Sequence, residues 1–285
     1  MVDMKKENDK KNITWLITGC SSGLGRNIAE EVLKSGYSAV ITSRNLSDIQ
    51  DIAKAYPDTA LVLSLDVTNR SQITDVIKQA QKKFDGINVL INNAGYGFRG
   101  AVEEADEEEM HKIFNTNFFG MVNMIQATLP CMRKNKTGTI MNLSSIAGRF
   151  GPVGSGYYSA TKFAIEGLSD ALRKEVSPLG IHVIVVEPGA FRTDYGGRSL
   201  NKSKRIIADY DSTVGPRRTE PSNGKQPGDP QKAAQVLINI YERKEKPFRL
   251  LLGSDAIKII RDELKEQFKE LEAWEKISVK TDFSE

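Results

Sequence analysis

Residues Ile13–Thr18 form a short apolar run rich in β-branched side chains. The run passes directly into Gly19-Cys-Ser-Ser-Gly23-Leu-Gly25, and a helical pattern follows over Arg26–Lys34. Strand, glycine-rich turn and helix in that order make a βα unit whose turn can receive an anion. The glycines let the backbone come close, and the helix start presents free N–H groups and a positive dipole end. Ser21 and Ser22 add hydroxyl donors beside Gly19, Gly23, Leu24 and Gly25.

The rest of the chain repeats this rhythm. Further strands are expected at Ala39–Ser43, Leu61–Leu65, Val89–Ile91, Thr139–Leu143, Ile181–Val186 and Arg249–Leu252. Helical patterns at Leu46–Ala55, Ser71–Phe84, Glu107–Asn135, around Tyr158 and at Gln231–Arg243 separate them. Such alternation predicts an α/β fold: a doubly wound, mostly parallel seven-stranded sheet with helices on both faces, in a single domain over 13–285. Ligands of such sheets sit outside the carboxyl ends of the strands. Gly19, Asp66-Val67, Asn93-Ala94-Gly95, Ser145 and Pro188-Gly189 all follow strand ends, so they are expected on one rim.

At the second strand end the chain reads Ser43-Arg44-Asn45, with no acid before Asp48. In dinucleotide folds an acid here binds the adenosine ribose, whereas an arginine accommodates a 2′-phosphate. Arg44 is either a solvated loop cation or a phosphate contact. Behind a glycine-rich turn the second reading is preferred, which favours NADP(H) over NAD(H).

Tyr158 and Lys162 are four residues apart in a segment whose apolar positions recur at helical spacing, ending near Pro178 and Gly180. On a helix they share one face, a turn apart. A phenol ordinarily titrates near pH ~10, and a neighbouring ammonium favours the phenolate and lowers that value. The pair can therefore move a proton to or from an alcohol or carbonyl oxygen. Asn115 and Asn117 fall inside the long helical region of Glu107–Asn135, where asparagine competes with the helix for backbone hydrogen bonds. Asn117 marks either a local kink with a purpose or a tolerated polar residue.

Composition narrows the chemistry. Forty basic and 37 acidic residues, mixed along the sequence, give a formal net charge of +3. That offers no electrostatic case for nucleic acid or an anionic membrane as partner. Two cysteines, Cys20 and Cys131, show no metal-ligand spacing or disulfide framework, which fits a cytoplasmic setting. Only His111 and His182 are present, and no Gly-x-Ser-x-Gly elbow occurs, so neither a His-ligated metal nor a serine-hydrolase site is expected. The apolar runs are strand-sized, and the charged residues 1–12 lack a signal-peptide core and read as a disordered arm.

The stretch from about 190 to 230 is long, polar and irregular, and its position after a rim-facing strand suggests a substrate lid. Over about 255–276 an amphipathic helix carries Ile257, Ile260, Leu264, Phe268, Leu271 and Trp274 on one stripe. The stripe is expected to pack on this domain, with a partner helix as the alternative.

Together these residues resemble the short-chain dehydrogenase/reductase superfamily over roughly Ile13–Gly253, in its single-domain branch. Thr18-Gly-Cys-Ser-Ser-Gly-Leu-Gly25 matches that family's TGxxxGxG loop, and Asn92-Asn-Ala-Gly95 its NNAG motif. Asn117, Ser145, Tyr158 and Lys162 fall where its catalytic tetrad falls, and Pro188-Gly189 and Thr193 match its nicotinamide-contacting positions. NNAGYGFRGAVEE and VEPGAFRTDYGGRSL are similar to bacterial members called retinol- or 17β-hydroxysteroid-dehydrogenase-like.

The resemblance implies a Rossmann-like fold and an NADP(H)-dependent interconversion of a carbonyl and an alcohol. Tyr158 would be the acid–base, Ser145 would orient the substrate oxygen, and Lys162 would tune Tyr158 and hold the nicotinamide ribose. Asn117 would anchor a proton-relay water, and Asp66, beside the Val67 backbone, would bind the adenine amine. In place of the basic residue that some NADP-preferring relatives carry before the second loop glycine stands Ser22. A homodimer or homotetramer is implied. The competing classes are an NADP(H) sensor or scaffold without turnover and a non-redox epimerase or dehydratase. Tyr96, Phe98, Phe150, Tyr157, Phe191 and Tyr195 suggest an apolar, aromatic-lined substrate pocket, while Arg192, Arg198 and Lys202 offer an acidic substrate its counter-charge.

Overall fold

The computed structural model of the protein describes residues 10–193, 197, 199–220 and 224–283. Its strands are β1 (Thr14–Ile17), β2 (Ser38–Ser43), β3 (Ala60–Ser64), β4 (Val89–Asn92), β5 (Gly97–Arg99), β6 (Gly138–Leu143), β7 (Ile181–Pro188), β8 (Leu200–Lys202) and β9 (Arg249–Leu252). Seven of them form the main sheet in the order β3-β2-β1-β4-β6-β7-β9, with every pairing parallel. The order reverses between β1 and β4, which opens the crevice where such sheets bind ligands.

Alternation along the buried strands sends successive side chains to opposite faces. Trp15, Ile17, Ile41, Ile91, Met141 and Ile184 pack on one face against α1 (Gly23–Lys34) and α8 (Pro230–Glu242). Leu16, Val40, Leu90, Ile140 and Val183 face the other way, toward α3 (Arg70–Phe84), α5 (Gly120–Asn135) and α6 (Gly156–Val176). Helices thus cover both faces, as expected from the sequence. Among the described residues no helix is long and apolar enough to cross a membrane.

Several local details depart from the sequence pattern. The segment Leu46–Ala55 is not one helix: a 3₁₀ turn at Leu46–Asp48 precedes the short α2 (Gln50–Ala55). The long helix expected over Glu107–Asn135 is interrupted. It runs as α4 (Glu107–Phe114), widens into a π-helical turn at Asn115–Phe119, and resumes as α5. Such π-bulges concentrate at functional sites, and this one carries Asn117, which is only 2% exposed. A second, two-stranded parallel sheet of β5 and β8 was not expected.

The segment after β7 is less loose than its composition suggests. Its described parts include β8, a 3₁₀ turn at Ala208–Tyr210 and α7 (Gly215–Thr219), and Glu104 fastens them to the body. The Glu104 side chain is inaccessible to solvent and accepts hydrogen bonds from the backbone N–H groups of Ala101 and Ile207, both at 2.8 Å. It also pairs with Arg218. Burial alone would raise this carboxyl's pKa, but those donors and the Arg218 charge outweigh it and hold the group below its usual range. Tyr195 and Arg198 lie outside the described residues.

At the other end, α9 (Ser254–Ser278) does not lay its stripe on the domain as expected. Ala256 and Ile260 are buried, whereas Leu264, Phe268, Leu271 and Trp274 are exposed. The helix simply outruns the body it starts on. The arm expected over 1–12 is tied down earlier than that boundary: Lys10 pairs with Glu242 at 2.6 Å, and the Lys11 carbonyl accepts from Ser38.

Candidate active site

A cleft of about 900 Å³ runs along the carboxyl ends of the strands. Gly19, Ser21, Ser22, Gly23 and Leu24 line it at one end, and Ser43, Arg44, Asp66 and Val67 line the adjoining stretch. Asn93, Ala94, Gly95, Ser145, Tyr158, Lys162, Pro188, Gly189, Phe191 and Thr193 complete the wall. The rim expected from the strand ends is therefore brought together.

Two residues of the expected set lie behind the wall. At Gly25 the backbone passes against the Asn93 amide and the Gly19 carbonyl, so a side chain has no room there. Gly25 lets helix and turn close up. Asn117 is likewise off the surface of the cleft. Its Oδ1 accepts from the Tyr96 N–H at 3.0 Å, and its Nδ2 donates to the Tyr96 carbonyl at 2.8 Å and the Thr161 hydroxyl at 3.3 Å. The side chain is committed to stitching the π-turn to the strand after Gly95 and to α6.

Asn93 does comparable work for the glycine-rich turn. Its Nδ2 donates to the carbonyls of Thr18 and Gly19, both at 2.9 Å, while the Thr18 hydroxyl accepts from the N–H groups of Asn93 and Ala94. Gly19 has φ +72°, and an added Cβ would sit 2.8 Å from the Ala94 Cα. Backbone conformation and close approach both require glycine there. Ser22, at the N-cap of α1, makes no side-chain capping bond, and no acid occupies the helix's first turn. Its N-terminal N–H groups thus remain for an anion.

The reacting end is built on α6. Tyr158 and Lys162 stand one turn apart, with the Lys162 Nζ 5.5 Å from the centroid of the Tyr158 ring. Lys162 donates to the Leu143 carbonyl at the end of β6, at 2.7 Å, and is nearly enclosed. Burial pushes its pKa down to about 8, with the Glu166 charge acting the other way. Ser145, one strand-end away, accepts from the Ala147 N–H at 3.1 Å and lines the cleft. A ladder that periodicity does not disclose holds α6 in place. Asn92 donates to Asn142 and Asn142 to Ser169, each at 2.9 Å and fully buried. Polar residues inside a strand-like run were the only available signal.

The substrate end is not the aromatic pocket expected. Tyr96, Phe98 and Phe191 line the cleft, but Phe150 and Tyr157 do not; the Tyr157 hydroxyl donates to the Val102 carbonyl instead. Lys112, Arg99, Asn201, Arg217, Glu220 and Gln226 share the wall, so this end is mixed and strongly polar. Arg99 donates to the carbonyls of Arg217 and Glu220. Arg192 and Lys202 face elsewhere, donating to the carbonyls of Gln226 and Arg218.

The geometry suits a dinucleotide: an uncapped helix N-terminus, a cradle that a Cβ at Gly19 would fill, and an adjoining trough ending at Arg44. Comparison with known proteins agrees. Residues 14–204 match the family model described as short chain dehydrogenase. The chain is 40% identical to a 3-ketodihydrosphingosine reductase of Bacteroides thetaiotaomicron, over 84% of this chain and 87% of that protein. A short-chain dehydrogenase from Streptomyces avermitilis superposes with a TM-score of 0.89 at 40% identity, covering 95% of this chain and 99% of the other. ElxO with NADP bound gives a TM-score of 0.72 at 26% identity, covering 86% and 99%. With the glycine-rich turn, the Asn93 stitch and the Tyr158–Lys162 helix on one rim, the chain belongs to the short-chain dehydrogenase/reductase family of oxidoreductases.

Proposed function

We propose that this protein interconverts a carbonyl compound and the corresponding alcohol with NADP(H), and that Tyr158 is the acid–base. The observation that carries the reading is the placement of Tyr158 over a buried, hydrogen-bonded Lys162, with Ser145 on the facing strand end. Bound in the cleft, the nicotinamide supplies or takes the hydride. The protein's own residues do the rest. Tyr158 gives its phenolic proton to the substrate oxygen in reduction and recovers it in oxidation. Ser145 donates to the same oxygen and fixes its direction. The Lys162 ammonium favours the phenolate form of Tyr158 and so brings its proton within reach at neutral pH.

The remaining contacts follow from position. Arg44 would hold a 2′-phosphate, Asp66 and the Val67 backbone would hold the adenine, and Gly189 and Thr193 would hold the carboxamide, all of them lining the cleft. Ser22 and the open α1 terminus take the pyrophosphate. Because the Asn117 side chain is committed to Tyr96, any proton relay past this residue uses its main chain. The Bacteroides relative is named for reducing a ketone, the same bond class. The polar substrate end supports a substrate that carries hydrogen-bonding groups beside its carbonyl.

The test is oxidation of NADPH across a panel of ketones and aldehydes, followed by absorbance, with NADH alongside. Tyr158→Phe should lower kcat by roughly 10²–10⁴-fold while NADPH still binds. An unchanged kcat in that variant would sink the acid–base assignment. Binding of NADPH with no carbonyl turned over would favour the sensor reading.

A further inference from the structure

Behind Lys162, away from the cleft, lie two carboxyl groups that the mechanism above does not use. Glu166 is one helical turn beyond Lys162 on α6, and Glu187 is the residue before Pro188 on β7. Their side chains are 7% and 0% exposed. Each has one oxygen in an ion pair. The Arg249 Nε donates to Glu166 Oε2 at 2.9 Å and lies 3.6 Å from Glu187 Oε1, and Arg149 donates to Glu187 Oε1 at 3.1 Å. Each also has one oxygen, Glu166 Oε1 and Glu187 Oε2, buried without a hydrogen-bond partner. Two carboxylates set on one arginine and shut off from solvent repel each other and leave both acceptors empty, an arrangement that burial makes unfavourable. A single proton relieves both.

We propose that Glu187 keeps that proton on Oε2 and donates a hydrogen bond through it to Glu166 Oε1, so that Glu166 stays ionised beside Lys162 and keeps the lysine an ammonium. Both are positioning residues: neither lines the cleft. The inference rests on the role given to Tyr158 and Lys162 above. Burial and the Glu166 charge push the Glu187 pKa up to about 7, so the carboxyl holds a proton below that pH and gives it up above. Glu166 is also the charge that opposes the burial penalty on Lys162. The charged groups facing the pair are Lys162 on α6, Arg149 after β6 and Arg249 on β9. The same hydrogen bond ties the helix carrying Tyr158 to the strand that leads into Pro188-Gly189.

Two measurements test this. Difference infrared spectroscopy of the full-length protein should show the carbonyl stretch of a protonated, buried carboxyl at pH 6 that fades toward pH 8 and is missing in Glu187→Gln. Absence of the band in the wild type would overturn the proposal, and this readout needs no substrate. The second measurement is the pH profile of kcat/KM for carbonyl reduction. Glu166→Gln should move the alkaline limb down by about one pH unit, since Lys162 then loses its proton earlier. Glu187→Gln keeps a donor toward Glu166 and should leave that limb within a few tenths of a unit of wild type. An unmoved limb in Glu166→Gln, or equal shifts in both variants, would overturn the assignment. Loss of all turnover in Tyr158→Phe alongside a missing infrared band would sink this inference and leave the proposed function standing.

Discussion

The two ends of the cleft are held together in opposite ways. At the cofactor end, the glycine-rich turn is shaped by residues close to it in space and few in number: the Asn93 amide, the Thr18 hydroxyl and the glycines themselves. Each of those bonds joins one of two side chains, Asn93 or Thr18, to backbone, so few side chains have to be specified there. At the substrate end, the segment after β7 is fastened through side chains a hundred residues away, above all the buried Glu104–Arg218 pair and the Ile207 N–H. A site for a constant ligand can be written into backbone geometry. A site that must fit a particular substrate is assembled from side chains on distant elements.

Breaking the substrate end should have the largest effect on stability. Glu104→Gln takes away the buried partner of Arg218, leaving it only the exposed Asp211, and removes a charged acceptor from the Ala101 and Ile207 N–H groups, a loss of about 3 kcal/mol. Thermal melting should fall by roughly 6–12 °C on the scale expected for a chain of this size. The carbonyl KM should rise more than the NADPH Kd; equal changes would show that the two ends are one unit. Next, Asn93→Ala strips two hydrogen bonds from the Thr18 and Gly19 carbonyls, at about 1–3 kcal/mol. Its effect should reverse the pattern, raising the NADPH Kd with the carbonyl KM little changed.

Arg44→Ala is a finer cut within the cofactor end. Removing one charge-assisted phosphate contact should weaken NADPH by about tenfold and leave NADH nearly untouched, as titration of each would show. Equal loss for both nucleotides would place the 2′-phosphate elsewhere. Smallest of all is Leu271→Lys on α9, where the side chain is 62% exposed. Melting should move by no more than about 0.5 kcal/mol equivalent, and a larger drop would reveal a surface covering that stripe in solution.

Much of the cofactor end was legible before any coordinates. Gly19, Gly23, Asn93, Ser145, Tyr158 and Lys162 each follow a strand end or share a helix face, and strand ends converge in a doubly wound sheet by topology alone. The π-turn at Asn115–Phe119 was half legible: an asparagine inside a helical run signals conflict, but not how it is resolved. The polar wall of Arg99, Arg217, Glu220 and Gln226 was not legible, since a polar residue in an irregular stretch reads the same whether it faces solvent or a pocket. Aromatic residues near the motifs misled for the same reason, as Phe150 and Tyr157 turned away from the cleft. The stripe on α9 misled differently. Amphipathic spacing says that a face should be covered, and only the extent of the neighbouring surface says where the cover stops.

What the sequence by itself determined is the alternation that makes the parallel sheet, the glycine-rich turn at the start of α1, and the sharing of one helix face by Tyr158 and Lys162. These depend on neighbours within a few residues or on topology, and both are written in order along the chain. Tertiary structure alone decided the Asn92–Asn142–Ser169 ladder, the anchoring by Glu104, the shape of the substrate end and the meeting of Glu166 with Glu187. In each case burial penalises any polar group left unpaired, so groups far apart in sequence are held where they satisfy one another. No local pattern records which buried partner a side chain will find.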